Sequence, residues 1–116
     1  MKPTDLMIKD WVMVKVLSQI PNTYVLHTWT ANDYPRNLQV KPIPLTPEIL
    51  EKNGWEQTEY CHEYQYGKNT IQCRLPYMVG RINGIDIENF KCEYVHQYQH
   101  LLRLCGLNEL ANNLKV

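Results

Sequence analysis

Two apolar runs, residues 12–20 and 23–29, are built from Val, Ile, Leu and Trp around the break Pro21-Asn22. β-Branched and aromatic residues on both sides of a turn dipeptide predict an antiparallel hairpin. With Ile20 facing Thr23, Val16 falls opposite His27 and Val14 opposite Trp29. That register gathers Val12, Val14, Val16, Val25 and Trp29 on one surface, as a half-buried pair requires. Residues 31–37, with Asn32, Asp33, Pro35 and Asn37, read as a loop. Residues 38–43 read as a short strand that Pro42 and Pro44 confine to an edge or a strand end.

The clearest local signal follows. Thr46 is an N-cap, Pro47 suits the first helical position, Glu48 complements the helix N-terminus and Gly54 is the stop. This predicts a two-turn helix over 46–53 with Ile49 and Leu50 facing the core. Residues 55–66 and 69–79 predict a second hairpin about the loop Gly67-Lys68. Its pairing sets Tyr66 against Asn69, Tyr64 against Ile71, His62 against Cys73, Tyr60 against Leu75 and Thr58 against Tyr77. A slip of one residue would scatter the apolar set. Asn83-Gly84 predicts a third, short hairpin or bulged ribbon between 81–82 and 85–87. Near Glu93 the period becomes helical. Tyr94, Tyr98, Leu101, Leu102 and Cys105 form one stripe, Gly106 ends it, and Asn108 caps a last short helix with Leu110 and Leu114 as its apolar contacts.

These elements predict an α+β fold: a twisted antiparallel sheet packed with a C-terminal helix and a short middle helix, with curling toward a small SH3-like barrel as a variant. The 116 residues fit one domain, 1–116. Twelve basic and twelve acidic residues cancel, which removes the broad positive footprint of a nucleic-acid binder. Asp5, Lys9, Asp10 and Lys15 break any apolar leader in the first seventeen residues, and no run reaches membrane-spanning length. The expected location is the cytoplasm, where Cys61, Cys73, Cys92 and Cys105 stay reduced. They show no metal-binding spacing, and the hairpin register sets Cys61 and Cys73 on opposite faces, which excludes a disulfide between them.

Three groups of residues are candidates for chemistry. His96 and His100 are spaced as metal ligands on a helix, but at roughly 100° per residue they fall opposite the apolar stripe, on the solvent side. Solvated histidines near Arg103 are the plainer reading. His62 and Cys73 become cross-strand neighbours, yet Tyr60, Tyr64, Ile71 and Leu75 make their surroundings core-like rather than electropositive. His27 reads as a core histidine with one satisfied hydrogen bond. The third group is Tyr60, Tyr64 and Tyr66 with Tyr77, in a chain of eight Tyr and one Phe. It reads first as core, second as a contact surface for a protein partner, third as a stacking platform for single-stranded nucleic acid. Glu59 and Glu63 disfavour the third. No phosphate loop, GxSxG, HExxH or isolated carboxylate pair is present, so no catalytic residue, cofactor or resident metal is assigned.

Three stretches resemble a family of small uncharacterised proteins of gut anaerobic bacteria and their prophages. Residues 5–12, DLMIKDWV, resemble its (D/E)LxIGNWV opening. Residues 42–56, PIPLTPEILEKNGWE, are similar to PIPLTEEILLKNGF, and residues 94–110, YVHQYQHLLRLCGLNEL, to YVHQLQNLxxALTGxEL. Lys9 stands in place of a glycine, Tyr98 of a leucine and His100 of an asparagine. A family metal site at His96 and His100 would not survive that asparagine. The resemblance implies an accessory protein of a phage or mobile element in the host cytoplasm, and it carries over no functional residue. The reading is a non-enzymatic protein-interaction module with a protein partner and no membrane association. A nucleic-acid-associated protein is the alternative, and a small metal-dependent or hydrolytic enzyme the remote one.

Overall fold

The first strand sends its two faces into different apolar clusters. The computed structural model describes residue 1 and residues 5–16, 23–36, 38–74 and 76–116. In it β1 (Trp11–Lys15) lies between β2 (Tyr24–Thr28) and β3 (Val40–Lys41) in a three-stranded antiparallel sheet. Successive side chains alternate. Val12 and Val14 join Leu6 and Trp29 in a small cluster, while Trp11 and Met13 pack on a larger one.

The hairpin forms, but its register differs from the expected one. Val14 faces Val25 rather than Trp29, and Val12 faces His27. Trp29 runs beyond β1. Its N–H donates to the Asp10 carbonyl at 2.8 Å, and the Lys9 N–H donates to the Trp29 carbonyl at 2.7 Å. Two residues thus oppose one in a bulge, with Lys9 at φ 74°. Val25 shares the face of Val14 but is exposed, not buried. The turn expected at Pro21-Asn22 lies outside the described residues. Ala31–Arg36, expected as a loop, is a 3-10 helix.

The second sheet is a five-stranded antiparallel meander of β4 (Glu56–Gln57), β5 (Glu63–Tyr66), β6 (Asn69–Arg74), β7 (Tyr77–Ile82) and β8 (Ile85–Lys91). Tyr66 faces Asn69 and Tyr64 faces Ile71, as the two-residue loop dictates. The two long strands expected to flank that loop do not run through. The chain folds back at 58–62, where His62 takes φ 62°, so that Glu56 pairs with Gln65. It folds back again between Arg74 and Tyr77, which pair; the expected pairing of Tyr60 with Leu75 falls outside the described residues. Pro76 has no N–H to offer a ladder, so a turn accommodates it better than a strand interior. Asn83 and Gly84 both take positive φ, the requirement of a type I′ turn, and Ile82 meets Ile85. β8 continues to Lys91, past the expected limit of 87.

Helix α1 (Pro47–Lys52) is closed as its sequence predicts. The Thr46 hydroxyl accepts the Ile49 N–H at 3.3 Å. The Gly54 and Trp55 N–H groups return to the Glu51 and Leu50 carbonyls, the paired bonds of a Schellman stop. Helix α2 (Val95–Leu104) ends the same way, through Gly106 and Leu107. Asn108 is the first residue of α3 (Asn108–Asn112) rather than its cap, a position that Leu107 holds.

Val95, Tyr98, Leu101 and Leu102 of α2 pack with Trp55, Tyr64, Ile71, Met78 and Ile82 in the larger cluster. The fold is α+β. Among the described residues β2 and β3 edge the first sheet and β4 and β8 the second, so neither sheet closes into a barrel. Among the described residues no helix is long and apolar enough to cross a membrane.

Candidate functional site

The polar face of α2 is covered, and this overturns the solvent-side placement of its histidines. Residues 6–11 run along that face. Gln99 is fully buried, accepts the Trp11 N–H at 2.9 Å and donates to the Lys9 and Ala111 carbonyls. Asp10 is buried beside it. Its Oδ2 accepts the Met7 N–H at 2.8 Å and the His100 Nε2–H at 2.5 Å, and its Oδ1 accepts Arg103 Nη1 at 2.5 Å. A helical wheel sorts residues by type. It cannot show that a distant carboxylate and amide chain will meet the polar stripe and satisfy it.

His96 lies next to this cluster at 6 % exposure. Its ring stacks on Tyr94 and meets His100 edge-on, with centroids 5.7 Å apart. Its Nδ1 has no hydrogen-bond partner among the described residues. Burial, helped by the neighbouring His100, pushes its pKa below the ordinary histidine value despite Asp10 and Asp5 nearby. Met1, Asp5, Pro42, Tyr94, His96, Gln97 and His100 line a cleft of about 440 Å³. Among the described residues no three metal-ligating side chains converge on one point.

A second buried carboxylate repeats the first. Asp33 Oδ2 accepts the Thr30 N–H and hydroxyl at 2.8 and 2.9 Å and the His27 Nε2–H at 2.7 Å, while its Oδ1 accepts Arg36 Nη1 at 3.1 Å. Burial works against the ionised carboxyl, but the bonds from His27 and Thr30 outweigh it and bring the pKa down to about 2. His27, expected in the core opposite Val16, is half-buried opposite Val12 and spends its one bond on this carboxylate. Both aspartates carry a backbone N–H three residues before them, an imidazole on one oxygen and a guanidinium on the other. Asp10 accepts three hydrogen bonds and Asp33 four, which suits each to hold its donors in place.

His62 and Cys73 are neighbours as expected, since the Cys73 N–H donates to the His62 carbonyl at 2.8 Å. With Pro47, Tyr64 and Arg74 they line a second cleft of about 580 Å³. Burial raises the Cys73 pKa, opposite to the change that makes a thiol nucleophilic. All four cysteines are free.

The four tyrosines are dispersed, not gathered into a stripe. Tyr64 is core at 5 % exposure, and Tyr60 stands on the 58–62 turn at 62 %. Tyr66 leans on Trp55 with centroids 5.5 Å apart, and Tyr77 lies at the opposite end of the meander, beside Arg74 and Lys91. The stripe depended on two uninterrupted strands, and the reversals at 58–62 and between Arg74 and Tyr77 remove it.

Sheet edges set a different feature apart. β3 and β4 are two residues long, the first followed by Pro42 and the second beginning at Glu56. β8 carries Asp86, Glu88 and Lys91 and is kinked at Asn89, φ 50°. Charges, prolines, kinks and short length are the usual guards against stray pairing. β2, YVLHT, has none of them, and Val25 and Leu26 are 46 % and 54 % exposed. Nothing in the sequence pattern marked it as an open edge. Comparison of the chain with protein-family models, with curated proteins and with solved structures found no match in any of the three.

Proposed function

We propose that the chain is a non-enzymatic protein-interaction module, an accessory protein of a phage or other mobile element acting in the host cytoplasm. It engages a partner by strand pairing along the outer edge of β2. The observation that carries this is the contrast between that unguarded edge and the three guarded ones. An added strand gains main-chain hydrogen bonds for affinity and uses alternate side chains for selectivity. The two buried aspartates are read as structural: Asp10 ties the Met7 N–H to His100 and Arg103, and Asp33 ties Thr30 to His27 and Arg36. Lys9 supports the family resemblance: it holds φ 74° where the resembling pattern has glycine, the residue that conformation favours.

Leu26→Pro tests the reading. Proteins from a host lysate that pair with the edge are expected on the wild-type chain and lost from the variant. Equal capture by both, with equal thermal melting, would place the contact elsewhere and overturn the proposal.

A further inference from the structure

We infer that the strand taking the β2 edge is β2 of a second copy, paired antiparallel about a twofold axis at Leu26. This rests on the reading of β2 as a docking edge and names its occupant.

The ladder to β1 decides which groups are free. The Val16 N–H donates to the Thr23 carbonyl, and the Trp29 N–H donates to the Asp10 carbonyl. In an antiparallel pair, hydrogen-bonded residues alternate with unbonded ones. Thr23, Val25, His27 and Trp29 therefore turn their N–H and C=O groups toward β1, and Tyr24, Leu26 and Thr28 turn theirs outward. No hydrogen bond reaches those outward groups from any described residue outside β1.

An odd number of outward residues centred on Leu26 is self-complementary. Across a twofold axis Leu26 meets the partner's Leu26 and Tyr24 meets the partner's Thr28, each pair exchanging both backbone bonds. Aromatic against β-branched is a favourable cross-strand pair. β2 holds no Lys, Arg, Asp or Glu, so no like charges are set against each other. Leu26, the more exposed of the two apolar side chains, gains an apolar neighbour at the axis.

Closure favours a copy over an unrelated strand. Twofold pairing uses the unguarded edge of both molecules at once and leaves only guarded edges, giving a six-stranded sheet that stops there. An unguarded edge kept open invites indiscriminate pairing. A five-residue edge is a small contact, so the dimer is expected to dissociate in about the micromolar range.

Sedimentation equilibrium of the full chain from about 1 to about 500 µM is the test, on wild type, Leu26→Pro and Leu26→Lys. The Leu26 N–H points away from β1, so proline there removes no ladder bond, and lysine guards the edge should proline fail to fold. Expected is a monomer–dimer equilibrium for wild type, with at least a tenfold rise in dissociation constant for each folded variant. Wild type monomeric throughout overturns the second copy, and loss of lysate partners from Leu26→Pro would then still uphold edge docking. A dimer that persists unchanged in both variants overturns the inference, since its contact would lie elsewhere. Assembly beyond the dimer overturns the twofold.

Discussion

The Gln99 carboxamide accepts the Trp11 main-chain N–H at 2.9 Å, joining α2 to the first residue of β1 across 88 positions of sequence. The same amide donates to the carbonyls of Lys9 and Ala111, so one buried side chain ties together three segments. Replacement by methionine keeps the volume and removes all three bonds. Each orphaned buried group costs about 1–3 kcal/mol. Gln99→Met is therefore expected to lose about 3 kcal/mol in urea unfolding. A loss below about 1 kcal/mol would show that water or a neighbour replaces the amide.

Tyr64 and Tyr60 separate core from surface within four residues. Tyr64→Ser removes a buried ring and is expected to destabilise by more than about 2 kcal/mol. Tyr60→Ser, on an exposed turn, should stay within about 0.5 kcal/mol. Equal melting temperatures for the two variants would contradict the placement of the 58–62 turn.

Gly80 is the one glycine outside a turn or a cap. It lies at the irregularity between β7 and β8, where a Cβ would stand 2.1 Å from the Thr70 carbonyl oxygen and 2.7 Å from the Ile71 Cα. Both are backbone atoms and cannot swing aside. Gly80→Ala is expected to cost about 3 kcal/mol, the upper range for overpacking. Retention of the wild-type urea midpoint would mean that the β6–β7 spacing is wider than described.

Asp33 predicts a feature of acid denaturation. Its folded pKa of about 2 lies below the ordinary 3.8, so the ionised form is preferentially stabilised by folding. That contribution is complete above about pH 4 and is lost as the pH falls toward 2. Asp33→Asn should be less stable than wild type at pH 6, with the gap closing between pH 4 and 2. Urea midpoints measured across that span check it, and a gap that stays constant would remove Asp33 as the titrating group.

Local signals were legible where the deciding interactions are themselves local. Thr46, Pro47 and Gly54 bracket α1, Gly67-Lys68 fixes the β5–β6 register, and Asn83-Gly84 fixes the β7–β8 turn. The α2 stripe and its Gly106 stop are equally visible, because helix burial follows from spacing alone. Failures came where a residue's partner is remote or where apolar content hides a reversal. Tyr60 and Tyr77 look like strand interior by composition, yet Tyr60 lies on a turn and Tyr77 starts a strand just after a reversal. Asp10 and Gln99 look solvent-facing until the N-terminal segment meets α2, some ninety positions away. Asp33 left a faint trace in its spacing from Thr30, a side-chain to backbone bond of local type that the loop reading absorbed.

The Gln99 bridge also sets an order of events during synthesis. The Trp11 N–H and the Lys9 carbonyl receive these hydrogen bonds only after position 99 has left the ribosome. Until then β1 emerges with Trp11 and Met13 uncovered, while the 88 positions that separate Trp11 from Gln99 are made. A chain that must wait so long for its final brace depends on hairpins that form early and on whatever shields nascent strands.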